Sequence, residues 1–157
     1  MYALGTDETG DTIDAALLLG ATSIDILFDR LAAQGVGSGT PTEPSAERPL
    51  RIKVGSYIGK LGLSNVSYPD DPVSSPDNVA PLANYGQGIL DQLDAVHQAA
   101  FLVGWYGTIF MRGNQDSNAS DLVCGFAQEA DFSAEGCLDN PTEFVSKLLN
   151  EARTRDP

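Results

Sequence analysis

Thirteen residues from Ala99 to Met111 make the longest apolar run in the chain, and they constrain everything around them. Read as helix, the run is apolar nearly all round, with Phe101, Trp105, Tyr106, Ile109 and Phe110 pointing in different directions. A helix of that kind has to be covered on every side. It falls short of the roughly 20 apolar residues that span a bilayer. The run is therefore predicted as the central helix of a core wrapped by the other helices. The functional alternative is that one flank, at Trp105 and Tyr106, meets a partner protein or an apolar ligand.

Helical spacing continues upstream through Leu82, Tyr85, Ile89, Leu93, Val96, Ala100 and Val103. Unbroken, residues 78–112 would form a rod of about 52 Å, against a diameter near 40 Å for a compact chain of this size. A break is expected at Gly86-Gln87-Gly88, leaving a main helix from Gly88 to Met111.

The rest of the pattern is also helical. Ile13, Leu17, Gly20, Ile24, Leu27, Phe28 and Leu31 recur at spacings of three and four, predicting a helix over Asp11–Gln34 that Gly35 stops. The Gly- and Pro-rich stretch Gly35–Pro49 reads as a linker, and Ser67–Asp77, with three prolines, as an exposed loop. Between them, Leu50, Ile52 and Val54 alternate like a strand, whereas Leu50, Val54, Tyr57, Ile58 and Leu61 keep helical spacing. No second strand offers itself for pairing, so helix is preferred. Gly55, Gly59 and Gly62 then lie on a neighbouring face that permits close approach of another helix. Two shorter helices follow. One starts near Ser120, and the other opens at Asn140-Pro141-Thr142-Glu143, a capping residue followed by Pro at the first helical position and an acid at the third. The expected fold is all-α, a single domain over 1–157, with about five helices around the central apolar one and long Pro/Gly-rich loops.

Charge narrows the function. Twenty-two Asp and Glu against nine Lys and Arg give 157 residues a net charge of −13. That balance argues against nucleic acid, where phosphate contacts need clustered cations, and against an anionic membrane surface. A soluble protein is expected. Cys124 and Cys137 are the only cysteines, and with a single histidine a structural zinc site is close to excluded. Their spacing suits one disulfide, which would close a loop worth about 3 kcal/mol. Two sequons, Asn65-Val66-Ser67 and Asn118-Ala119-Ser120, add to an exported character. Met1–Asp7 shows neither a basic nor an apolar leader segment, which fits a cytosolic chain or a mature exported one. A secreted, periplasmic or lumenal location is the expectation, with the cytosol as its alternative.

Catalytic signals are sparse. Asp91, Asp94 and His97 stand three apart on the main helix, a spacing compatible with acid–base work or one edge of a metal site. A di-metal bundle would need the motif twice, and there is no second histidine. Asp116–Asp121 mimics the start of a calcium loop, but the turn glycine is missing and Ala127 stands where a bidentate Glu is required. No G-x-S-x-G elbow or phosphate-cradling loop is present. The expectation is a non-enzymatic, acidic protein–protein interaction module with neither metal nor cofactor. It would be an accessory subunit or inhibitor of a larger or basic partner. The alternative is a helical carrier of an apolar cofactor or pigment, with His97, Trp105 and Tyr106 as candidate contacts. A hydrolase using His97 with Asp94 ranks third.

Overall fold

The computed structural model describes residues 3–33, 47–70, 80–111, 118–134, 136–137 and 140–155. Side chains are described for 12–27, 48–70, 80–109, 122–134, 136–137, 140 and 142–154. Within these residues the chain is all-helical, with six helices and no strand: α1 (Ala3–Ala33), α2 (Glu47–Leu61), α3 (Ala80–Leu90), α4 (Ala95–Met111), α5 (Asn118–Glu129) and α6 (Pro141–Arg155). The greater part of the expected Gly35–Pro49 linker, the end of the 67–77 loop, the side chains of the calcium-like stretch, and the Phe28, Leu31 and Phe110 side chains lie outside the described residues.

As its all-round apolar surface requires, α4 is the hub. It lies along α1 in the most extensive contact of the fold, and α5 and α6 pack on its other sides. Ala99, Ala100, Phe101, Leu102, Trp105, Tyr106 and Ile109 are all buried. Trp105 has Phe101 at 5.5 Å on one side and the edge of Phe126 from α5 at 5.4 Å on another, while Tyr106 meets Phe144 of α6 at 5.4 Å. These tilted and edge-on pairs put ring edges against ring faces, the arrangement the aromatic quadrupole favours.

The chain breaks at Asp91–Asp94, not at Gly86–Gly88 as expected. Asp94 caps α4, its Oδ1 accepting from the His97 backbone N–H at 3.0 Å. Gln92 ties the same junction to the turn after α2, donating to the Ser64 carbonyl and accepting from its N–H, both at 2.9 Å. Gly86 stays helical because packing needs its missing side chain: a Cβ there would come within 2.5 Å of the Phe126 ring.

Two further details differ from expectation. α1 begins earlier than Asp11, and Leu17 is 37 % exposed whereas Leu19 is fully buried. The cause is that α4 and α2 both cover α1, so the buried arc widens to take in Ala15, Ala16, Leu19, Ser23, Ile24, Ile26 and Leu27. α2 is the helix that the Val54, Tyr57, Ile58 and Leu61 spacing predicts, and it absorbs Glu47–Pro49 from the linker. Gly62 belongs to its stop rather than its face, with φ +68° and the Leu63 N–H returning to the Ile58 carbonyl at 3.1 Å. No described helix is long and apolar enough to cross a membrane.

Candidate functional site

The α3–α4 junction gathers the chain's one histidine and its neighbouring acids. Because Asp94 caps α4, its carboxylate sits beside residue 97, one turn on. Asp94 Oδ1 is 2.7 Å from His97 Nδ1. The other ring nitrogen, Nε2, lies 2.8 Å from Thr12 Oγ1 on α1. A carboxylate, an imidazole and a hydroxyl thus form one hydrogen-bonded chain across two helices. His97 is not at a solvated margin: its side chain is 15 % exposed, against 55 % for Asp94. Asp91 does not join them; it stands outward and accepts from Gln87 Nε2 at 2.8 Å.

Desolvation by itself would raise the Asp94 pKa. It is outweighed by the His97 backbone N–H, the His97 ring with its charge, and the Val96 N–H, so the carboxyl is held below its ordinary range. Asp94 therefore stays ionised and fixes the His97 ring, leaving Nε2 to meet the Thr12 hydroxyl. That order resembles the arrangement by which a base activates a hydroxyl nucleophile. Acyl transfer also needs N–H donors for the developing oxyanion. At this helix start the Val96 and His97 amides are already directed at Asp94. The geometry is that of a strut joining α1 to the start of α4.

Spacing on one helix brought Asp94 and His97 together, and Thr12 was missed. It lies 85 residues away and carries no local mark in the sequence. Among the described residues no group of three His, Cys, Asp or Glu could hold a metal ion. Trp105 and Tyr106 are 0 % and 3 % exposed. Contacts made at the molecular surface do not reach them, and Trp105, Phe101 and Phe126 fill one another's space. Tyr106 instead turns its hydroxyl to the Cys137 carbonyl, which it donates to.

Cys124 on α5 and Cys137, in the turn before α6, are joined as a disulfide with Cα atoms 5.9 Å apart. The Tyr106 bond anchors the same turn to α4, so two ties of different chemistry hold one short segment. Comparison of the chain with protein-family models, with curated proteins and with solved structures finds no match.

Proposed function

We propose that the chain is a non-enzymatic, acidic interaction module, an accessory subunit or inhibitor whose charge selects a partner with a basic surface. One observation carries the reading: no described acid is buried. Asp14, Asp70, Asp91, Asp94, Glu129, Asp131 and Glu143 are exposed, and Asp25 and Glu151 are half-buried. The core takes the aromatic residues instead, so the face offered to a partner is set by carboxylates. Such a field raises encounter rates with a cationic surface. The Cys124–Cys137 disulfide fits an oxidising, exported or lumenal compartment.

The test is binding kinetics against the partner recovered by co-purification from the native source, across a salt series. The association rate should fall as the Debye length shrinks from about 10 Å at 0.1 M to about 3 Å at 1 M. An association rate indifferent to salt would reduce the acidic surface to a solubility device. A second reading, ester hydrolysis at Thr12, is favoured by the Thr12–His97–Asp94 chain alone. It requires turnover of a p-nitrophenyl ester that disappears in both Thr12→Val and His97→Gln.

A further inference from the structure

The segment that follows α2 carries a sequence motif that the fold leaves unused. Asn65-Val66-Ser67 is an N-x-S triplet without proline at its middle, the form that accepts an N-linked glycan. Burial alternates along it: Asn65 and Ser67 are exposed, Val66 packs half-buried against the core, and Tyr68 is buried. Such alternation is that of extended chain, in which residues two apart share a face. Asn65 and Ser67 therefore belong to one outer side, a carboxamide with the hydroxyl that an acceptor triplet requires two residues on.

Ties from within fix this presentation. The Gln92 side chain pairs with both the N–H and the carbonyl of Ser64 at 2.9 Å. Tyr68 Oη donates to the Ser23 carbonyl at 2.9 Å, and Arg51 Nη2 donates to the Pro69 carbonyl at 3.0 Å. Asn65 has a left-handed backbone, φ +57°, which Asn tolerates better than most residues. That conformation accounts for an asparagine, but not for the serine two places later. Among the described residues neither the Asn65 nor the Ser67 side chain has a hydrogen-bond partner, so a sugar on Nδ2 displaces no contact. The chain's other triplet, Asn118-Ala119-Ser120, is the first turn of α5. Helix positions two apart lie about 200° round the axis, on different faces.

We propose that Asn65 is an N-glycosylation site whose donor is a lipid phosphate-linked oligosaccharide met on export. A bond forms between Asn65 Nδ2 and the anomeric carbon of the sugar, and Nδ2 gives up one proton. The anomeric C–O bond breaks, and the lipid phosphate leaves with its electron pair. The proposal rests on the exported location that the disulfide supports.

Trypsin separates the two triplets, since no Lys or Arg lies between Lys60 and Arg112 or between Arg112 and Lys147. In protein purified from the native source, peptide 61–112 should carry the mass of a glycan, and amidase release should leave Asp at position 65. Ser67→Ala should lose the glycan and Ser67→Thr should keep it, both with unchanged helical circular dichroism because residue 67 is exposed. An unmodified Asn65, a glycan confined to Asn118, or one that persists at Asn65 in Ser67→Ala overturns the proposal. Thiol labelling of the same preparation tells two failures apart. An unmodified Asn65 beside an intact disulfide removes the glycan alone, whereas two free thiols remove the exported location with it.

Discussion

Gly20 and Gly104 sit where α1 and α4 touch backbone to backbone. A Cβ at Gly20 would overlap the Phe101 carbonyl and crowd the Trp105 amide, and one at Gly104 would overlap the Leu17 carbonyl. Neither obstacle is a side chain that could swing aside. Closing the largest helix contact in the fold therefore depends on two absent methyl groups. Gly104→Ala and Gly20→Ala should each lower unfolding free energy by about 3 kcal/mol, at the upper end of overpacking costs. Gly86→Ala meets only the movable Phe126 ring and should cost about 1–2 kcal/mol. Gly55→Ala, in open space, should stabilise by up to about 1 kcal/mol through helix propensity. Urea denaturation of the four variants checks the order, and an unaffected Gly104→Ala would contradict the packing.

How much of this was legible in the sequence follows from the range of each signal. The apolar run at 99–111 had to be covered whatever its neighbours, and among its described residues the large side chains of Phe101, Leu102, Trp105, Tyr106 and Ile109 are buried. The start of α6 was legible because a cap is local: Asn140 Oδ1 accepts from the Glu143 N–H at 3.3 Å while Asn140 Nδ2 donates to Glu143 Oε2 at 2.9 Å. The α3–α4 break was misplaced because glycine marks both breaks and close contacts, and at Gly86 only the position of Phe126 decides which. Thr12 meeting His97, and Gly20 meeting Phe101, are tertiary pairings with no periodic trace.

A buried hydroxyl cluster makes stability sensitive to alkali. Ser23 Oγ donates to the Leu19 carbonyl at 2.6 Å and lies 2.6 Å from Tyr85 Oη, which accordingly donates to Ser23. Tyr68 Oη donates to the Ser23 carbonyl at 2.9 Å. Burial pushes the Tyr85 phenol well above its ordinary pKa, with the Ser23 bond opposing only part of the rise. The unfolded phenol ionises from about pH 10 while the folded one stays neutral, so this stability is complete below pH 10 and declines above it. Tyr85→Phe should flatten the decline between pH 9 and 11. Ser23→Ala should cost about 1–3 kcal/mol at neutral pH by leaving a buried hydroxyl without its acceptor. Equal alkaline slopes for wild type and Tyr85→Phe would refute the assignment.

The Asp94–His97–Thr12 strut is expected to be structural and acid-labile. Asp94→Ala removes an α4 cap and should cost about 1 kcal/mol at pH 7. Because the folded carboxyl titrates below the unfolded one, its contribution is present above about pH 4 and is lost as pH falls through the lowered value. The gap between wild type and Asp94→Ala should therefore close toward pH 3, whereas a constant gap would mean that the charge plays no part. His97→Gln keeps one hydrogen-bonding arm and should fold within about 1 kcal/mol of wild type. Loss of a bound metal or of visible absorbance in His97→Gln would instead promote the carrier reading.

The final prediction separates the disulfide from the core. Cys124 and Cys137 are 13 residues apart in sequence, and closing a loop of that size is worth about 3 kcal/mol in the chain-entropy model. The bond ties α5 to the turn before α6, while the main α1–α4 contact lies elsewhere. Reduction should thus lower the denaturation midpoint without abolishing far-UV helicity at 25 °C. The Tyr106 hydroxyl on the Cys137 carbonyl continues to hold the turn when the sulfurs part, so Tyr106→Phe should be more damaging in reduced than in oxidised protein. Thiol labelling in denaturant supplies the control, with no reactive cysteine expected before reduction and two after. Two labelled thiols in protein never exposed to reductant would show that the pair does not form. Additive effects of reduction and Tyr106→Phe would show that the two ties act independently.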